Sequence, residues 1–311
     1  MKKYIYASFI LIIGIIGLYY FKSGNSFFEQ NMEVLNENYD GKIIASEKIN
    51  VDGDSKNIDK LDFYTITYLS GNQKAEAFMI KPKSKGEYPV VLFNRNGAIT
   101  KAKDHKVSWF NGLASENYII IAPRYKNVEW KGHSLENFAI TDTKQFLDLF
   151  PLIKSLSFAD EDKIVSYGEK RGGLLTYQAI KHDMGIKAAA VYGVPSDLIL
   201  SYNNSIHGRK EIYESEFGGN PEEVKEKYIA KSPYYWANEI DVPILVMHST
   251  KEKSIKTVQA EKLVEKFKKV GKSDYKAVIN SEIDTIFMLN SAFAWFKNKA
   301  DFPCEDQIIE R

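Results

Sequence analysis

A glycine-flanked turn between a strand and a helix is the stretch of this sequence whose residue types and spacing most suggest chemistry. Residues 163–173 read K-I-V-S-Y-G-E-K-R-G-G, an apolar strand that turns sharply and runs into a helix. Such a turn is typical of a nucleophile elbow, in which G-x-S-x-G holds a serine on a strained backbone. Gly168 and Gly172 suit it because strand and helix backbones approach closely there. The central residue is Lys170, so the expected hydroxyl is missing.

These residues resemble the prolyl-oligopeptidase-like (dienelactone-hydrolase-like) branch of the α/β-hydrolases. That branch typically reads G-x-S-R-G-G-x-x-T-Y at this turn, and this chain reads G-E-K-R-G-G-L-L-T-Y. Four further stretches match in the same order: 88–97, 113–123, 231–237 and 242–248. The resemblance covers roughly residues 62–299. It implies an α/β-hydrolase fold, with a mostly parallel, doubly wound sheet, an N-terminal hairpin and a small cap insertion.

The hydrophobic pattern predicts the elements that would position such a turn. A hairpin is predicted at 62–68 and 75–80, because both runs are β-rich and Gly71-Asn72 separates them. Apolar strands follow at 90–93, 118–122, 164–167, 188–192, 244–247 and 275–279. Helices are predicted between them, most clearly at 255–270 and 285–299. Continuous apolar strands that alternate with helices indicate a parallel sheet covered on both faces.

The resemblance also implies positions for an acid and a base. The family pattern H-G-x-x-D-x-x-V reads H-S-T-K-E-K-S-I from His248, which puts Glu252 at the acid position. The base position falls at Asp284 or Thr285, in a stretch without histidine. The five histidines are at 105, 133, 182, 207 and 248, so none follows residue 248. Neither side chain can move a proton near pH 7 as imidazole does.

The loop expected to form the oxyanion hole has also changed. Asn94, Arg95 and Gly97 are its candidate pocket residues, with Arg171 beside the elbow, and only one glycine remains where a bacterial subset has two. Three other serines, at 134, 166 and 249, could be suggested as nucleophiles, but none lies on an elbow. The sequence therefore predicts a hydrolase scaffold that lacks both the serine and the histidine.

An ion pair is the expected replacement for the lost catalytic groups. The resemblance brings one cation, Lys170, to the same site as two carboxylates, Glu252 and Asp284. A buried lysine without a partner costs several kcal/mol. We therefore expect Lys170 to pair with one of the two carboxylates.

The termini and composition limit the possible functions. Met1-Lys2-Lys3 precedes an apolar run, Tyr4 to Phe21, and this pattern favours an uncleaved signal anchor over a cleaved signal peptide. The basic residues before the run predict that the domain after it is extracytoplasmic. The predicted organisation is this segment at 1–22, a polar stalk at 23–57, the hydrolase domain at 58–300 with a cap at about 200–236, and a tail at 301–311.

A net charge of +1 gives no electrostatic case for nucleic acid, and one cysteine excludes an intrachain disulfide. No cofactor or metal is expected.

Three functions remain open at this point, and the third, after the two that follow, is a purely structural surface protein. The first is a non-catalytic, membrane-tethered protein that binds a peptide or small acyl ligand in the remnant pocket. The alternative is a serine-type peptidase or esterase with a rearranged site. Fold alone cannot choose between them.

Overall fold

The computed structural model describes residues 39–50, 58–94, 113–125, 128–130, 133–135, 140–205 and 209–304. These ranges contain a nine-stranded sheet and a separate two-stranded hairpin. The strands of the large sheet are β1 (Ile43–Lys48), β2 (Leu61–Ser70), β3 (Gln73–Pro82), β4 (Tyr88–Asn94), β5 (Ile119–Arg124), β8 (Ala159–Glu169), β9 (Ile186–Tyr192), β10 (Ile244–Ser249) and β11 (Tyr275–Asn280). The hairpin pairs β6 (Val128–Trp130) with β7 (His133–Leu135).

The strand order of the large sheet is β1-β2-β3-β5-β4-β8-β9-β10-β11. The first three strands are antiparallel to their neighbours, and the strands from β5 to β11 are parallel to one another. In this order β5 lies on one side of β4 and β8 lies on the other, so the direction of the chain across the sheet reverses at β4. Ligands of open α/β sheets bind at such a switch point, outside the carboxyl ends of the strands.

The predicted hairpin and all six predicted parallel strands are present, so the expected α/β-hydrolase architecture is confirmed. The strand predicted at 164–167 is longer, because β8 begins at Ala159, which pairs with Tyr88 across a register shift. The hydrophobic pattern did not predict this earlier start, because residues 160–162 are charged. Their side chains are partly or fully exposed in the structure. The antiparallel edge strand β1, Ile43–Lys48, lies within the stretch 23–57 that was predicted as a polar stalk, and it pairs with β2.

Helices cover both faces of the sheet. They are α1 (Ile140–Leu147), α2 (Leu149–Lys154), α3 (Arg171–Lys181), α4 (Leu198–Asn203), α5 (Arg209–Phe217), α6 (Lys225–Lys231), α7 (Val258–Lys269) and α8 (Thr285–Ala300). Successive residues of β4 enter different hydrophobic cores: Val90 and Leu92 pack with α2 and α3, and Val91 and Phe93 pack with α8. Burial of both strand faces explains the unbroken apolar runs.

Helices α4, α5 and α6 lie between β9 and β10, in the stretch where the resemblance predicts a cap. Four of their aromatic rings, those of Tyr202, Tyr213, Phe217 and Tyr228, pack on one another, and the rings of Phe217 and Tyr228 are stacked 4.2 Å apart. Three of the four are almost fully buried, and this favours a packing role over an aromatic-lined pocket. The limits of a cap domain stay a prediction.

No helix in the described ranges is long and apolar enough to cross a bilayer. The Tyr4–Phe21 run predicted as a membrane anchor lies outside those ranges, as does most of the predicted stalk.

Candidate functional site

The turn from β8 into α3 has the geometry of a nucleophile elbow. Lys170 connects the two elements with φ 48° and ψ −112°, a backbone conformation that residues other than glycine rarely adopt. Its amide donates to the carbonyl of Tyr192 at 2.8 Å, and its carbonyl accepts from Leu174 at 3.2 Å. The turn is therefore fixed to the end of β9 and to the first turn of α3.

The two glycines predicted to allow a close approach do so. A Cβ on Gly168 would lie 2.6 Å from Thr176 Oγ1 and 2.7 Å from the Gly172 carbonyl oxygen. A Cβ on Gly172 would overlap the backbone carbonyl of Asn94, at the end of β4. The glycines thus let β4, β8 and α3 meet directly beneath Lys170.

Lys170 forms an ion pair with the carboxylate at the acid position. Its Nζ lies 3.0 Å from Glu252 Oε2, in the loop after β10, and 3.3 Å from Ser254 Oγ. The two charged side chains are only 22% and 12% exposed, so the pair is partly shielded from water. Of the two pairings expected from the sequence, the structure contains this one.

Glu252 is held as a carboxylate. Burial by itself would raise its pKa, but hydrogen bonds from the Ser254 hydroxyl and amide, together with Lys170, lower the pKa to about 2. Oε1 accepts both Ser254 bonds, at 2.5 and 2.7 Å, while Oε2 faces the ammonium. Every oxygen of this carboxylate therefore has a partner within the chain. Its arrangement suits a structural counter-ion.

Asp284 has a different role from the one its sequence position suggests. It is the N-cap of α8, where its carboxylate accepts a hydrogen bond from the Phe287 amide at 2.7 Å. The residue is exposed. Among the described residues, Lys170 has Glu252 and Ser254 as side-chain partners. Of the three charged groups expected to meet at the site, only Lys170 and Glu252 form an ion pair.

A buried polar network lies under the elbow. Asn94 Nδ2 donates to Thr176 Oγ1 at 3.2 Å, and its Oδ1 accepts from the Tyr125 hydroxyl at 2.8 Å. Thr176 also bonds Ser166 Oγ at 2.9 Å. The buried guanidinium of Arg171 lies 4.8 Å from the centre of the Tyr125 ring. Asn94 and Arg171, predicted as pocket residues, are thus part of the support beneath the turn.

The described part of the chain contains no serine bonded to a histidine ring. His248 Nε2 is 2.8 Å from the Ile255 carbonyl oxygen, and burial lowers the pKa of this imidazole. His182 lies at the C-terminal end of α3, away from the elbow at its N-terminal end. Ser249 accepts from the Lys251 amide, and Ser166 on β8 is bonded to Thr176 on α3.

Two predicted pocket residues, Arg95 and Gly97, fall outside the described ranges, as do His105 and His207. The described residues include no group of three or more histidine, cysteine or acidic side chains placed to hold a metal.

Sequence reasoning missed Ser254 and Tyr125. Ser254 follows Glu252 by two residues, a spacing at which a serine can donate to the preceding carboxylate in a tight turn. That spacing was a usable signal. The contact of Tyr125 with Asn94 joins two neighbouring strand ends, and nothing local in the sequence indicates it.

Comparisons with known proteins agree with this architecture. The sequence matches the prolyl oligopeptidase family over residues 104–302. It is 29% identical over 214 residues to the "Uncharacterized peptidase YtmA" of Bacillus subtilis, a match that covers 67% of this chain and 80% of that protein. It is 27% identical over 192 residues to dipeptidyl-peptidase 5 of Schizosaccharomyces pombe, where it covers 58% of this chain but only 28% of the relative.

Solved structures share the fold at low sequence identity. Acylaminoacyl peptidase of Pyrococcus horikoshii superposes with a TM-score of 0.62 at 20% identity, over 80% of this chain and 43% of that enzyme. Acetyl xylan esterase from Paenibacillus sp. R4 superposes with a TM-score of 0.57 at 12% identity, over 76% of this chain and 82% of the esterase. The chain thus spans less than half the length of the peptidase structure. With the elbow, the parallel sheet and a family match over most of the sequence, this chain belongs to the prolyl oligopeptidase family.

Proposed function

We propose that this chain is a non-catalytic member of its family, which binds a peptide or small acyl ligand and does not hydrolyse it by a serine mechanism. The single observation that carries the proposal is the Lys170–Glu252 ion pair at the tip of the elbow. A protonated lysine is no nucleophile, and the pair occupies the place where a hydroxyl would attack a carbonyl.

The lack of a base supports the same conclusion. A serine hydrolase needs an imidazole or an equivalent group to take the proton from the nucleophile. The residue at the family's base position, Asp284, caps a helix through its carboxylate. Because no histidine follows position 248 in the sequence, two of three catalytic groups would have to be replaced to regain the mechanism.

Reaction with a fluorophosphonate probe and turnover of p-nitrophenyl acetate test the proposal. The full chain should show no stoichiometric labelling and no turnover above that of the heat-denatured chain. Lys170→Ser should remain inactive, since it restores the hydroxyl without the base. Stoichiometric labelling of the unmodified chain, or turnover that disappears when one serine is changed to alanine, would contradict the proposal.

Ligand binding is measured separately from turnover. Blocked di- and tripeptides, acetylated at one end and amidated at the other, are titrated against the full chain by calorimetry. We expect binding without release of a cleaved product. Lys170→Ala provides the matched variant, because it removes the ion pair at the tip of the elbow and should change the affinity. Failure of the chain to bind any of these peptides would contradict the proposal of a peptide ligand.

The rival proposal is a peptidase or esterase with a rearranged site. One observation favours it: the elbow retains a strained backbone at a non-glycine residue, and such strain is often kept at functional sites. His105 is the first histidine to test for such a site, because it follows β4 in the sequence. Turnover lost in His105→Ala would support the rival.

A membrane-tethered location is also proposed. Its support is the basic start, Met1-Lys2-Lys3, followed by the apolar run Tyr4 to Phe21. Release of the chain from membranes by detergent but not by high salt or carbonate would support a spanning anchor.

A further inference from the structure

A buried histidine closes the loop that carries Glu252, the counter-ion of the elbow lysine. His248 lies near the end of β10 and is fully buried, and its Nε2 is 2.8 Å from the carbonyl oxygen of Ile255. Residues 249–255 are called here the Glu252 loop. The bond from the imidazole to Ile255 joins the two ends of this loop, so the position of Glu252 depends on it.

The carbonyl acceptor fixes the tautomer of this imidazole. A carbonyl oxygen has no proton to donate, so Nε2 must carry the N–H, and in the neutral ring Nδ1 then has only a lone pair. Nδ1 is buried, and within the part of the chain that the structure describes it has no hydrogen-bond partner. A second proton on the ring would therefore place an N–H without an acceptor, and a positive charge, in a buried position.

The charged groups around His248 come from several elements. Glu252 in its own loop and Glu261 on α7 favour the protonated ring, and Lys170 at the elbow disfavours it. On the neighbouring strand β9, the ring of Tyr192 has its centre 6.4 Å from the centre of the imidazole, and the residue opposite His248 on β11 is apolar. Burial outweighs the two glutamates and lowers the pKa of His248 below its ordinary value of 6.5.

We propose that His248 is a pH-sensitive latch, which holds the Glu252 loop closed when the ring is neutral and lets the loop open when the ring is protonated. The closed loop presents Glu252 to Lys170 at 3.0 Å. Opening would separate this ion pair and expose the ammonium at the tip of the elbow. The latch therefore controls the state of the site to which ligand binding is assigned above, and in that respect it rests on the proposed function.

The direction of the pH effect follows from linkage between protonation and opening. In an open loop the imidazole is hydrated and has its ordinary pKa of about 6.5, and in the closed loop the pKa is lower. The open loop therefore binds the proton more tightly. Closure is fully favoured above about pH 6.5 and weakens as the pH falls through the lowered pKa. Glu252 does not titrate in this range, because its own pKa is about 2.

The experiment is hydrogen–deuterium exchange of the full chain at about pH 5 and about pH 8, on either side of the ordinary histidine pKa. Peptides are analysed by mass spectrometry, and exchange times are adjusted for the pH dependence of unstructured amides. In the closed loop the amides of Thr250, Glu252 and Ser254 are hydrogen-bonded. We expect their protection to fall several-fold at the lower pH.

The connection between α2 and β8 is the matched internal control. The amides of Leu156 and Ala159 donate there to backbone carbonyls at 3.0 Å, and the connecting residues read S-L-S-F, without a titratable side chain. Protection of these amides should be the same at both pH values.

Two variants test the role of the imidazole itself. His248→Gln supplies an N–H of similar reach that does not titrate, so the Glu252 loop should stay protected at both pH values. His248→Leu supplies no donor, so the loop should exchange several-fold faster at both.

Three results would overturn the inference: equal protection of the Glu252 loop at both pH values, an equal loss in the control connection, or the same pH dependence in His248→Gln. The comparison within the unmodified chain decides even if a variant fails to fold. Exchange is measured without a peptide ligand, so an unresponsive loop would overturn the latch and leave the proposed ligand binding to its own calorimetric test.

Discussion

At the scale of single residues, the backbone of Lys170 is the most unusual feature of the site. A side chain with a Cβ adopts φ 48°, ψ −112° at the tip of the turn, although glycine would take this conformation with far less strain. Non-glycine residues in such regions cost about 1–3 kcal/mol each, and the surrounding structure must hold them. Here the bonds to Tyr192 and Leu174 and the ion pair with Glu252 do so.

This strain predicts that the glycine variant at position 170 is more stable than the alanine variant, the reverse of the usual order of stability. Lys170→Gly and Lys170→Ala both lose the ion pair, but only glycine relieves the backbone. We therefore expect Lys170→Gly to be more stable than Lys170→Ala by about 1–2 kcal/mol in urea unfolding of the full chain.

The matched control is an exposed position inside a regular helix, Lys268 of α7. At this position we expect the usual order of stability, with the Lys268→Gly variant about 1 kcal/mol less stable than Lys268→Ala. The same order at both positions would argue against strain at Lys170.

At the scale of elements, the site depends on how closely β4, β8 and α3 approach one another. Gly172 in the first turn of α3 faces the carbonyl of Asn94 at the end of β4. The sequence predicted the need for a glycine from the family resemblance, but its neighbour across the sheet became visible only when the strands were paired. The hydrogen bonds of Asn94 to Thr176 and Tyr125 then fix the same three elements.

Gly172→Ala tests this approach. The added methyl would overlap backbone, which cannot rotate away as a side chain can. We expect the free energy of unfolding to fall by about 3 kcal/mol or more, with a matching loss of the folded circular dichroism signal at lower denaturant.

Gly185 provides a matched control, because it has φ +77° and a Cβ there would meet nothing within 4 Å. Gly185→Ala should cost only about 1 kcal/mol, from the left-handed backbone alone. If the two substitutions were equally harmful, close packing at the elbow would not be the reason for Gly172.

At the scale of the whole molecule, a buried glutamine links the segment after β9 to α7. Gln259 Oε1 accepts from the Asp197 amide at 2.8 Å, and its Nε2 donates to the Asp197 carbonyl at 3.1 Å and to Ser201 Oγ at 2.9 Å. The side chain is 2% exposed. Sixty-two residues separate the partners, so no local pattern signals the contact.

Removing the amide should destabilise the whole fold. Gln259→Leu keeps the approximate volume but leaves the buried backbone groups of Asp197 without their partner. Each unsatisfied buried group costs about 1–3 kcal/mol, so we expect a loss of about 2–4 kcal/mol in urea unfolding.

Lys268→Leu, on the exposed face of the same helix, should change stability by no more than about 0.5 kcal/mol. A similarly small change at Gln259 would mean that water replaces the amide, and that the link is not needed.

The sequence by itself determined the order of strands and helices, the elbow and the absence of serine and late histidine. It could do so because strands buried on both faces must be apolar, and because a close backbone approach requires glycine. Only the tertiary structure decided which carboxylate pairs with Lys170. Asp284 and Glu252 were equal candidates in sequence, but the start of α8 leaves amides that need an acceptor and engage Asp284, while the loop after β10 turns Glu252 toward the ammonium. The hydrogen bonds of Lys231 to Thr143 and Gln178 likewise join helices that are distant in sequence.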